Sequence, residues 1–198
     1  MKPLEIALVI VLIILLLYIW NDRDTFVSII APDGERYSVT GNDYKKSAEM
    51  LAWINSQNIE LMRYMRDKYP NSIYTINLRK RYDPAIVSEH LPTALVPETS
   101  FVERKDQHIG FCLRGGYNPN GDSPMTTHSN MMFVNLHELS HVAVNGTGHG
   151  RPFWEAFKFI LEAAKACGIY QPIDYAIKPI VYCGMNVTYN PYFDESLN

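Results

Sequence analysis

The stretch His137-Glu138-Leu139-Ser140-His141 constrains this chain more than any other. Two histidines four positions apart on a helix point from one face, a turn apart. Their imidazole nitrogens can then meet at a single metal ion. The residues leading into the stretch (Met131, Met132, Phe133, Val134, Leu136) predict an apolar helix with a buried face. Asn145-Gly146-Thr147-Gly148 breaks that helix, since Asn and Gly readily take the left-handed conformation that ends helices. The chain can therefore turn back and bring His149 to the same ion. Three of the six histidines fall between 137 and 149, a set that isolated core histidines explain poorly.

H-E-x-x-H is the arrangement of zinc hydrolases. Zinc in such sites takes three protein ligands and keeps one position for water or substrate. His137, His141 and His149 are the expected ligands of Zn²⁺. Glu138 faces the same cleft without being needed as a ligand, and is placed to act as general base toward a water that the metal acidifies. If His149 were not the third ligand, Glu155 or Asp174 would be the acidic candidates.

His149-Gly150-Arg151-Pro152-Phe153-Trp154 narrows the comparison. Residues 137–154 resemble the minimal zincins of the SprT-like and WLM (Wss1-like) metallopeptidase groups. In those groups a third histidine, in a His-Gly or His-x-x-x-Phe/Trp context, follows the H-E-x-x-H helix at short distance. The resemblance implies zinc on His137, His141 and His149, with Glu138 as the base. Tyr182-Cys183-Gly184-Met185 and Leu113-Arg114 also resemble small metallopeptidases of large DNA viruses. The chain departs from SprT-like and WLM repair proteases in lacking a basic nucleic-acid tail and in beginning with an apolar segment. It departs from metzincins because their third histidine follows the helix sooner.

Residues 4–20 are almost wholly apolar and end at Asn21-Asp22-Arg23-Asp24. This is the short limit of a bilayer span, which needs roughly 17–25 residues. Tyr18 and Trp20 suit an interfacial belt. No small-x-small cleavage site follows, so the expectation is an uncleaved single-pass membrane anchor over residues 1–22, with the lipid bilayer as partner. Lys2 on one side and Arg23 on the other leave topology open. Cys112, Cys167 and Cys183 allow one disulfide with a free thiol, or three thiols. N-x-Ser/Thr sequons stand at Asn145 and Asn186, and a glycan on Asn145 would crowd the metal loop.

Residues 23–198 suffice for one domain with one core. The expected class is α+β: a zincin-like domain with the metal helix, a backing helix and a small sheet. A net charge of −3 argues against nucleic acid as a partner, and Arg79-Lys80-Arg81 reads as a solvated turn. Segments 26–30 and 36–40 flank Pro32-Asp33-Gly34 as a hairpin. A helix is expected from Gly41-Asn42-Asp43 to Lys68, while 73–78 is ambiguous between strand and helix. Prolines 84, 92 and 97 imply an irregular connection. Residues 109–114 read as a strand, either an ordinary one or the edge that holds a peptide by strand addition. Phe111, Leu113 and Arg114 are thereby the candidate substrate-binding residues. A loop over 116–129 would border the cleft, with Ser129 or Asn130 capping the metal helix. Pro152 opens a further helix that Gly168 closes. Tyr170, Tyr175, Tyr182, Tyr189 and Tyr192 are indistinguishable as oxyanion donors. The function these features predict is a membrane-anchored zinc metallopeptidase acting on a polypeptide substrate. The alternatives are a tethered interaction protein with a structural zinc and a DNA–protein crosslink protease.

Overall fold

Alternating burial builds the first hairpin of the computed structural model, which describes residues 3–21, 26–40, 43–92, 97–105, 108–115 and 124–197. Strands β1 (Val27–Ile30) and β2 (Arg36–Val39) pair antiparallel. At their turn Asp33 accepts from the Glu35 amide at 3.0 Å, and Gly34 takes a φ of +85° that a side chain would resist. Tyr37 and Val39 of β2 point into the core.

Helix α2 (Tyr44–Lys68) buries Leu51, Ile54, Leu61 and Met65 along one side, as its helical apolar spacing requires. The same side carries Asn55 and Asn58. A chain of polar contacts runs through it: Asp33 accepts from Tyr37 Oη at 2.7 Å, and Tyr37 Oη from Asn55 at 2.7 Å. Tyr82 bonds both Asn55 and Asn58. The ambiguous segment is helical, forming α3 (Ile73–Arg81). Helical spacing is what lets Asn77 and Arg81 both reach the end of one neighbouring helix, at the carbonyls of Ala143 and Val142.

The central sheet has the order β3-β5-β4. Strand β5 (His108–Phe111) lies parallel to β3 (Val87–Glu89) and antiparallel to β4 (Ser100–Glu103). Residues 109–114 are therefore not the edge. The strand among them is paired on both sides, with Ile109, Phe111 and Leu113 fully buried. Arg114 is also enclosed, donating to Glu89 at 3.0 Å and to Ser47 at 3.1 Å. The outer strands of the sheet are β3 and β4. Gly110 permits this packing, because the Phe101 ring lies 2.7 Å from where a Cβ on it would stand.

Helix α4 (His128–Ala143) packs against β4, α3 and α2, and α5 (Arg151–Cys167) packs against α4 and α2. Pro152 and Gly168, the latter at φ +86°, bound α5 as expected. A last hairpin, β6 (Ile180–Tyr182) and β7 (Met185–Val187), turns through Cys183 and Gly184, both left-handed. Cys183 is bonded to Cys112 just beyond β5, leaving Cys167 as the free thiol.

The N-terminal expectation is corrected. Among the described residues no helix is long and apolar enough to cross a membrane. The single-pass anchor over residues 4–20, its bilayer partner and a membrane localisation are therefore unsupported. Helix α1 (Pro3–Asn21) has 19 residues and carries Glu5 in its first turn. At 1.5 Å per residue it rises about 28 Å, short of a roughly 30 Å hydrocarbon core. The segment expected to stop the span, 22–24, lies outside the described residues, as do 116–123 of the loop expected to border the cleft.

Candidate metal centre

Helix α4 begins at Thr127, whose Oγ1 accepts from the Asn130 amide at 3.2 Å. Thr127 is the cap, in place of Ser129 or Asn130. Met131, Leu136, Leu139 and Val142 are fully buried on its inner face. Asn135 joins them and forms a reciprocal amide pair with Asn58 of α2, donating at 2.6 Å and accepting at 3.1 Å. This packing turns His137 and His141 outward together. After α4 the chain reverses, with Gly148 at φ +72°, and returns His149 to them.

The three rings converge through their Nε2 atoms. His149 Nε2 stands 3.0 Å from that of His137 and 3.1 Å from that of His141. Ligand atoms of the three all lie within 4.8 Å of one another. Three nitrogens on a tetrahedral zinc at about 2.0–2.1 Å would be about 3.3 Å apart, and the two separations from His149 are within a few tenths of an ångström of that spacing. Burial, with the neighbouring imidazoles, pushes His137 down to about 3 and His141 to about 4, and burial also lowers His149. The rings are thus neutral near pH 7, and neutral imidazole is the form that binds metal. Converging lone-pair donors of this kind fit a borderline cation such as Zn²⁺. Phe153 of α5 supports all three rings, with centroids 4.8, 4.3 and 4.6 Å from His137, His141 and His149. Trp154 lies 5.7 Å from His149, tilted by 32°.

Glu138 is 4% exposed, and burial pushes its carboxyl up to about 8. It stands where two halves of a cleft meet. One half, about 500 Å³, is mostly apolar, with Phe133, Trp154, Phe157, Met185 and Val187 in its walls. The other, about 400 Å³, is bordered by Arg104, Lys105, Thr147 and Gly148. Ser100, His137, Glu138 and His149 line both.

Strand β4 runs along this cleft. The Cys112 amide donates to the Thr99 carbonyl at 3.0 Å, so in the antiparallel register Thr99, Phe101 and Glu103 turn their backbone groups toward β5. Ser100 and Val102 turn theirs to the free edge.

The residues expected at the site divide accordingly. The structure brings His137, Glu138, His141 and His149 together. It places Phe111, Leu113 and Arg114 in the interior, away from the cleft lining. Of the tyrosines, Tyr182 and Tyr189 border the cleft. Tyr182 donates to the Cys112 carbonyl at 2.5 Å and meets Ser100 Oγ at 2.7 Å, and Tyr189 donates to Asp194 at 2.6 Å. Glu155 pairs with Arg151 at 2.7 Å and Asp174 accepts from the Ala176 amide at 3.0 Å; neither joins the histidine cluster. Asn145 of the sequon accepts from Arg81 at 2.5 Å. Arg81 and Lys105, which hold the end of α4, escape a reading of the sequence: one belongs to a basic run, the other to a hairpin turn.

No family model matches the chain, and no solved structure matches it. Among curated proteins it is similar to "Uncharacterized protein R325" of Acanthamoeba polyphaga mimivirus, 26% identical over 92% of this chain and 93% of that protein. It is also similar to "Uncharacterized protein 136R" of Invertebrate iridescent virus 6, 34% identical over 42% of this chain and 44% of that protein. Both relatives are viral, and neither name assigns an activity.

Proposed function

We propose that this chain is a zinc-dependent peptidase. The observation that carries the reading is the convergence of three imidazole Nε2 atoms beside a buried carboxylate, at the midpoint of a cleft bordered by a free strand edge. Zinc on His137, His141 and His149 would supply Lewis acidity, polarising a carbonyl and acidifying a water. Glu138 would accept a proton from the attacking water and return it to the leaving amine as the C–N bond breaks. The outward backbone groups of Ser100 and Val102 pair with an extended peptide, as strand addition requires. The apolar half of the cleft takes a large side chain beside the reacting bond.

The test is metal content and hydrolysis together, on the full chain purified without added metal. About one zinc per chain is expected, with cleavage of unfolded polypeptide that a chelator abolishes. A metal-free protein would defeat the reading. Zinc uptake without hydrolysis would instead favour a structural zinc, although among the described residues no fourth His, Cys, Asp or Glu joins the cluster.

A further inference from the structure

Two cations converge on the stretch that carries the chain from the metal helix toward its third histidine. Lys105 Nζ donates to the carbonyls of His141, Val144 and Gly146 at 3.1, 2.8 and 2.6 Å. From the other side Arg81 Nη1 donates to those of Val142 and Val144 at 2.8 and 2.9 Å. Its Nη2 reaches Asn145 Oδ1 at 2.5 Å. Asn77 Nδ2 takes the carbonyl of Ala143 at 2.7 Å.

The last carbonyls of a helix have no partner within it, and the helix dipole makes them a favoured place for cations. Here every carbonyl from His141 to Val144 accepts from a side chain of α3 or of the β4–β5 turn. A water shell would satisfy the same groups without fixing where the chain goes next. Side chains anchored in two separate elements do fix it. The exit path of the segment that delivers His149 is therefore set from outside α4.

Lys105 occupies an unusual backbone position for this task. Arg104 and Lys105 are consecutive non-glycine residues with left-handed φ values of +48° and +64°. The tight reversal they make directs the ammonium group onto the carbonyls. It also joins the exit of α4 to β4, the strand that borders the cleft.

We infer that Lys105, with Arg81 as its counterpart, is a positioning residue that sets where His149 stands against His137 and His141, and thereby sets zinc affinity. The inference rests on the metal-site reading above and goes beyond it in assigning affinity to residues that touch no metal.

The experiment is zinc competition against a chromophoric chelator on the full chain: wild type, Lys105→Met, Lys105→Arg and Arg81→Met. It is accompanied by the visible spectrum of the cobalt(II)-substituted proteins and circular dichroism of the metal-free ones. Lys105→Met is expected to weaken zinc binding by about 10–100-fold, the usual effect of removing a supporting partner. Its cobalt bands should be altered, and Lys105→Arg should recover most of the loss. A purely structural role would lower metal-free stability while leaving zinc affinity and the cobalt spectrum of the folded protein unchanged, and that result overturns the inference. Should Lys105→Met fail to fold, Lys105→Ala, which likewise removes the donor, carries the same test, and wild-type affinity in it is equally decisive. A wild type that takes up no zinc defeats the underlying metal-site reading instead.

Discussion

Replacing Cys183 with serine opens the bridge to Cys112, and the structure supplies the magnitude. The two cysteines are 71 positions apart. In the chain-entropy description, closing a loop of that size removes about 15 cal/mol/K from the unfolded state, or about 4 kcal/mol at 25 °C. For a folded body of this size each kcal/mol moves the melting midpoint by roughly 2–4 °C, so a fall of about 8–16 °C is expected. Urea unfolding followed by tryptophan fluorescence is the direct assay. With a slope of roughly 2 kcal/mol/M the midpoint should drop by about 2 M. Reductant should lower the wild-type midpoint similarly and leave Cys183→Ser unaffected. The site should feel the change as well, because Tyr182 and Met185, beside the bridge, line the apolar half of the cleft. If oxidised wild type and Cys183→Ser unfold within about 0.5 kcal/mol of each other, the argument from loop closure is refuted.

Glu138→Gln is expected to keep zinc while lowering hydrolysis by about 10²–10⁴-fold, the range for losing a general base. Peptide turnover and metal analysis on the same preparation check it, and retained turnover removes Glu138 from that role. His149→Ala should lose most zinc and no longer gain thermal stability from added metal, since stabilisation by a ligand follows its affinity. A zinc titration followed by melting temperature reads this directly. Phe153→Ala should cost about 3–5 kcal/mol through the cavity it leaves and also loosen the three rings it supports. A zinc affinity equal to wild type would show that the rings are held by other contacts.

The parts of the molecule legible in the sequence are those governed by local chemistry. His137 and His141 announce a helix face, Asn145 to Gly148 its end, Pro152 and Gly168 the bounds of α5, and Asp33-Gly34 a hairpin. Strand order was not legible, because pairing is decided between segments far apart in the chain. The complete burial of Ile109, Phe111 and Leu113 suits a strand covered on both faces, yet an edge strand with an apolar stretch reads much the same. The cap at Thr127 was missed because Ser129 and Asn130 carry the same chemistry two and three positions later. Arg81 was read as solvated because a basic run reveals nothing of the carbonyls it will meet. The pairing of Cys112 with Cys183, and the exclusion of Cys167, likewise depend on where β5 and the last hairpin come together. At the N-terminus a run of apolar residues predicts a span, whereas the helix it forms falls short of one.

The amide pair between Asn58 and Asn135 has a further consequence. Apolar helix faces tolerate sliding, since one leucine or methionine replaces another at small cost. A slipped or rotated α4 would separate the two asparagines and strand their donors and acceptors in a dry interior, at about 1–3 kcal/mol for each group. Near-native alternatives are therefore penalised by several kcal/mol, and one register survives. The doubly substituted Asn58→Leu, Asn135→Leu protein is expected to remain folded but to show broadened or multiple His137 ring resonances by NMR. A single sharp set would sink the idea. On this account the uniqueness of the histidine triangle originates about half a turn before it, in two side chains whose task is to make every other alignment of the helix unfavourable.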